Sequence, residues 1–108
     1  MANSVTSGNR YEYATVNTAP TTAGYYTNPV NAGQQRVERL CFTVRGTGSM
    51  IVTLQFICPG DAAWNDYATY NAPAYTVIEG DGAGVRWRAG VKSADDYVEG
   101  TLKFGFNW

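Results

Sequence analysis

The residues of this chain with the chemistry for catalysis are its carboxylates, above all Asp61, Asp66, Glu79, Asp81, Asp95, Asp96 and Glu99. Two acidic groups facing each other on a β-sandwich can hydrolyse a glycosidic bond. These carboxylates lie mostly in or beside turn signals, where an aspartate closes the turn on its own backbone. Asp81 and the Asp95-Asp96 pair have the ligand type for weak calcium binding, but no EF-hand loop surrounds them. Nucleophiles fare no better, because histidine, the commonest general base and metal ligand, is absent. Ser4, Ser7, Ser49 and Ser93 lie in turn or tail contexts, none in a Gly-x-Ser-x-Gly elbow. Cys41 and Cys58 without histidine cannot complete an ordinary zinc site. Gly80, Gly82 and Gly84 lie between two strands rather than opening a helix, so they read as a tight connection needing positive φ, not a phosphate loop. The expectation is therefore no enzyme, no catalytic residue, no cofactor and no metal.

Binding chemistry is better represented. Tyr11, Tyr13, Tyr25 and Tyr26 stand in a segment with almost no other large side chains, and Arg86, Arg88 and Lys103 cluster toward the C-terminus. Trp64, Tyr67 and Tyr70 do not share a parity, so some of them are expected at the surface, where aromatics stack on sugars or on another protein.

The elements that must carry these residues are strands. Leu40 to Val44 and Met50 to Phe56 alternate around Gly46-Thr47-Gly48 and read as a hairpin in which Phe42 faces Val52 and Leu40 faces Leu54. Val85 to Val91 and Tyr97 to Phe106 read as a second hairpin across Ser93-Ala94-Asp95-Asp96, with Trp87 beside Leu102 and Val85 beside Phe104. In that register Arg86 sits opposite Lys103, with Arg88 next along, on the outward face. Leu40, Phe42, Val44, Val52, Leu54, Phe56, Val85, Trp87, Leu102, Phe104 and Phe106 all point inward. Cys41 and Cys58 fall on opposite faces, as free thiols. Further strands are expected over 10 to 16, 63 to 70 and 74 to 79, separated by Pro59-Gly60-Asp61 and Asn71-Ala72-Pro73. The fold class is all-β, an antiparallel β-sandwich of jelly-roll type in one domain over residues 10 to 108.

From Met1 to Gln35 only Arg10 and Glu12 are charged, and there is no Leu or Ile. This segment is expected to add nothing to the core. Residues 1 to 9 read as a flexible arm and 10 to 35 as partly extended connection, ordered on a neighbouring subunit rather than on its own chain.

Composition excludes other partners. A formal net charge of -1 gives no electrostatic capture of nucleic acid or an anionic membrane. Met1-Ala2-Asn3-Ser4 carries neither a basic segment nor an apolar run, so no secretory leader is expected and the chain reads as made in a cytosol.

The stretches Thr43 to Phe56, Pro59 to Trp64, Val77 to Gly80, Gly84 to Val91 and Glu99 to Phe104 resemble the small jelly-roll decoration, or cement, proteins of tailed bacteriophages. The resemblance covers roughly residues 40 to 106. It implies a non-enzymatic virion protein, made in the host cytoplasm, that binds the major capsid protein on the outer surface of the head as a homo-oligomer, a dimer or a trimer. Tyr11, Tyr13, Tyr25, Tyr26, Arg86, Arg88 and Lys103 are the candidate partner-binding residues. A head-fibre or tail-tip subunit and a carbohydrate-binding module are the alternatives.

Overall fold

A computed structural model describes residues 3–31, 39–79 and 84–108 of the chain. Among the described residues ten strands form in order: β1 (Ser4–Ser7), β2 (Tyr11–Val16), β3 (Tyr25–Tyr26), β4 (Val30–Asn31), β5 (Arg39–Met50), β6 (Val52–Ile57), β7 (Asn65–Tyr70), β8 (Ala74–Glu79), β9 (Arg86–Val91) and β10 (Tyr97–Asn107). One sheet has the order β1-β2-β10-β5-β8, and the other β3-β9-β6-β7 with β4 also on β9. All pairs are antiparallel. The pairs nest, β6 with β7, β5 with β8, β3 and β4 with β9, and β2 with β10, which is one long ribbon rolled into a sandwich, the jelly roll.

The core lies where the inward rows of the two sheets meet. Phe42, Phe104, Phe106, Leu40, Leu102, Val16 and Val44 from the first sheet and Leu54, Val52 and Val91 from the second are fully buried. The predicted inward set holds for Leu40, Phe42, Val44, Val52, Leu54, Leu102, Phe104 and Phe106. Phe56, Val85 and Trp87 are only half-buried. Trp87 packs on Phe56 at 5.6 Å and on the exposed Tyr67 at 5.1 Å between ring centroids.

Both predicted hairpins are wrong. β5 runs unbroken through Gly46-Thr47-Gly48, which pairs with Leu102, Thr101 and Gly100 of β10. The chain then crosses to the other sheet at Ile51, whose amide donates to the Asp96 carbonyl. β9 and β10 likewise belong to different sheets, joined through a 3-10 turn at Ala94–Asp96. Close backbone approach explains the glycines. A Cβ on Gly100, whose φ is 81°, would lie 2.6 Å from the Gly48 Cα. Gly84 has the expected positive φ of 77°, while Gly80 and Gly82 lie outside the described residues.

The N-terminal expectation is corrected too. Residues 4–7 are not a loose arm but pair with β2 from Ser4↔Thr15 to Ser7↔Glu12. Asn3 fastens that strand by accepting from the Asn17 and Thr18 amides. Ala14, Val16 and Val30 enter the core, because small and β-branched residues at alternate positions fill an inward row as well as Leu or Ile does. The connection after β2 is tied to its own chain. Thr27 takes one place along β9, its amide donating to the Ala89 carbonyl and its hydroxyl accepting from the Ala89 amide. Glu12, inward and buried, accepts from the Ser7 hydroxyl and the Asn28 amide.

Candidate functional site

The candidate residues divide between the two outer faces of the sandwich. Arg86 and Lys103 are not neighbours, since β9 and β10 lie in opposite sheets. Tyr25 faces inward and packs on the core. Tyr26, Arg86 and Arg88 lie on the outside of the β9 sheet, and Tyr11, Tyr13 and Lys103 on the outside of the β10 sheet.

One local design recurs on both faces. On the β9 sheet, Tyr26, Gly90 and Thr53 form a row across three strands, and on the β10 sheet Tyr13, Gly105 and Thr43 do the same. The glycine is required because a Cβ there would collide with the neighbouring backbone carbonyl, Tyr25 for Gly90 and Glu12 for Gly105, and with the tyrosine ring. Two residues before each glycine stands a cation over that ring. The Arg88 guanidinium is 3.8 Å from the Tyr26 ring centroid, and the Lys103 ammonium is 4.8 Å from that of Tyr13.

What surrounds the cation differs. Arg88 lies opposite Gln55 and donates from Nε to Gln55 Oε1 at 2.8 Å. Gln55 Nε2 donates to Asp66 Oδ1 at 2.8 Å, and Lys92 Nζ donates to Asp66 Oδ2 at 2.8 Å. Trp64, carried by the turn before β7, places its ring 4.5 Å from the Arg88 guanidinium and 5.9 Å from that of Arg86. Thr53 and Gln55 point outward yet are buried, so this face is roofed by its own side chains. Burial draws Arg88 below the ordinary guanidinium value, whereas the hydrogen bond from Lys92, then that from Gln55, holds Asp66 below the usual carboxylate range. The hydrogen bond to Asp66 raises Lys92.

Lys103 instead lies opposite Arg45, also exposed, and no carboxylate pairs with either among the described residues. Tyr11 is 6.0 Å from Tyr13 between centroids and 40% exposed. Farther across the same face Tyr75, opposite Thr43, is exposed beside Cys41, with 3.7 Å between Tyr75 Oη and Cys41 Sγ. Cys41 and Cys58 are both free thiols.

Trp64, Tyr67 and Tyr70 make no common platform: Trp64 joins Arg88, Tyr67 meets Phe56 and Trp87, and Tyr70 packs inward on Phe42 at 5.3 Å. The sequence points to Tyr26, Arg88 and Lys103 but not to Gln55, Asp66 and Trp64 around Arg88, nor to Arg45 opposite Lys103. The available signal was the paired spacing Arg88-x-Gly90 and Lys103-x-Gly105.

No family model matches the chain, and no curated protein matches it. Two solved structures of the CENP-C cupin domain of Drosophila melanogaster are similar to it. One has 14% identity and a TM-score of 0.44 over 91% of this chain and 56% of that chain; the other has 10% identity and a TM-score of 0.43 over 97% and 72%. This chain thus spans little more than half the length of the first, 56%.

Proposed function

We propose that this is a non-enzymatic bacteriophage virion protein that cements the outer surface of the capsid by binding the major capsid protein. The observation that carries the assignment of a contact face is the exposed Lys103–Arg45 cross-strand pair flanked by Tyr13 and Tyr11. Like charges directly opposite each other are mildly destabilising in the free protein, and an acidic partner relieves that repulsion. The tyrosines add rigid amphipathic area, the composition that dominates protein interfaces. The roofed face of the β9 sheet has less to offer, because Arg88 is already taken up by Gln55, and Asp66 by Gln55 and Lys92. Its Trp64 and Arg88 come from two of the strings that resemble decoration proteins, and they serve there to tie the strands of one sheet together across its outer face. Weak contacts of this kind, repeated over many copies, stabilise a shell by mass action.

The test is co-sedimentation of the purified chain with undecorated capsids. Replacing Lys103 and Arg45 together by glutamate is expected to weaken binding by about tenfold or more and to flatten its salt dependence, whereas Arg86→Ala leaves it unchanged. Full binding by the folded double variant, or a copy number in purified virions of only a handful, overturns the assignment.

A further inference from the structure

We propose that the free edge of β8 is a self-pairing surface, joining two copies of this chain into a dimer whose β10 sheets run on into each other. This goes beyond the capsid reading and does not depend on it.

Each sheet of an open sandwich has two edges whose backbone groups invite another strand, and native edges are normally blunted. Three of the edges here are. β1 is four residues of Ser, Val and Thr, and β3 and β4 are two residues each. β7 carries a register shift against β6, and its Asp66 is tied to Gln55 and Lys92. β8 has none of these devices. Its six residues keep an unbroken register with β5 from Ala74↔Val44 to Glu79↔Arg39, with no proline, lysine or bulge, and among the described residues no strand pairs with its other side. Its outward side chains are Tyr75, Val77 and Glu79, the first two 67% and 39% exposed.

The occupant follows from self-complementarity. Antiparallel pairing about a two-fold axis at Thr76 sets Tyr75 against Val77 of the second copy, and Val77 against its Tyr75. These are two aromatic–β-branched pairs, a favourable cross-strand combination. On the inward side Thr76 meets Thr76, and Ala74 meets Ile78. The single charge of the strand, Glu79, falls opposite Pro73, so the two carboxylates lie at opposite ends of the seam. Each is already 3.6 Å from its own Arg39. No like charges meet anywhere along the pairing. A two-fold interface needs a patch that complements itself, and this register supplies one.

The test is the molar mass of the purified wild-type chain by sedimentation over a rising concentration series, with hydrogen exchange of the β8 amides read in parallel. The expected result is a mass that climbs to twice that of one chain, together with slowed exchange in β8. Tyr75→Lys combined with Val77→Lys places lysine against lysine at both pairs and is expected to hold the mass at one chain, with circular dichroism unchanged because both side chains are exposed. Tyr75→Lys combined with Val77→Glu places lysine against glutamate at both pairs and is expected to restore the dimer. A wild-type chain that stays monomeric without β8 protection overturns the proposal. So does a dimer that survives the double-lysine change, or one that fails to return with the lysine–glutamate swap.

Discussion

The outer faces of the two sheets start from the same cross-strand unit, a tyrosine beside a glycine beside a buried threonine with a cation over the ring, and end in different states. The outcome turns on the residue facing the cation. Opposite Arg88 stands Gln55, an acceptor that passes the bond on to Asp66 and Lys92, so the face closes on itself. Opposite Lys103 stands Arg45, which repels it, so the face stays open. The cation type reinforces the contrast, since a guanidinium can lie flat on one ring, meet a second and donate in its own plane, whereas an ammonium is a point charge. Tyrosine and a cation on a strand therefore do not by themselves mark an interface. What decides is whether the neighbouring strand satisfies them.

The largest effect is expected where the two faces are alike. Gly90→Ala and Gly105→Ala each place a methyl group against a neighbouring backbone carbonyl and a tyrosine ring. Each should lower stability by about 3 kcal/mol or more in urea denaturation, the upper end for overpacking a closed site, because the atom met first is backbone. If one variant is neutral, the glycine in that row is not what seats its tyrosine, and the faces are not built alike.

Much of the fold is legible from alternation and turn signals. β8 falls on its predicted bounds, β10 runs one residue past its predicted end at Phe106, and eight of the eleven predicted inward residues are fully or nearly fully buried. The hairpins are not legible, for a geometric reason. In a jelly roll the inward rows of both sheets point at each other, so Leu40, Phe42, Val52 and Leu54 show the same parity whether their strands pair side by side or stack across the core. The alternation establishes which side chains face in but not which strands are neighbours. Gly46-Thr47-Gly48 resembles a turn because glycines also mark places where two backbones come too close for a side chain, here β5 against β10. The site suffers from the same blindness. Gln55, Asp66 and Arg45 look like ordinary solvated outward residues until the sheet order places them beside Arg88 and Lys103.

A smaller effect separates the faces. Arg88→Ala removes a charged hydrogen bond and two ring contacts and leaves Gln55, only 4% exposed, without its donor. A loss of about 1–3 kcal/mol is expected in urea denaturation. Lys103→Ala removes one exposed ring contact but also relieves the repulsion from Arg45, so its change should be within about 0.5 kcal/mol. Equal losses from the two variants would mean that the β10 face is satisfied in a way its geometry does not display.

The smallest effect is the pH dependence of the closed face. Because the hydrogen bonds from Lys92 and Gln55 hold Asp66 below its unfolded value, the folded state binds its proton less readily. The contribution of Asp66 is complete above the unfolded carboxylate pKa of about 3.9 and disappears as pH falls through the lower folded value. Lys92 is raised, so its share persists below the unfolded lysine pKa of about 10.4 and fades as pH climbs past the folded one. Between those limits the bridge is intact. Its side chains are 51% and 42% exposed, so it adds no more than about 1 kcal/mol. Asp66→Asn should therefore cost under about 1 kcal/mol at neutral pH and remove part of the stability loss seen in urea melts as pH falls below the unfolded carboxylate value of about 3.9. Glu79→Gln, at the more exposed Arg39 pair, is the control and should change neutral-pH stability less. If Asp66→Asn leaves the acid limb of the stability curve unaltered, the Arg88–Gln55–Asp66–Lys92 chain ends energetically at Gln55, and the closed face is held by the guanidinium and its rings alone.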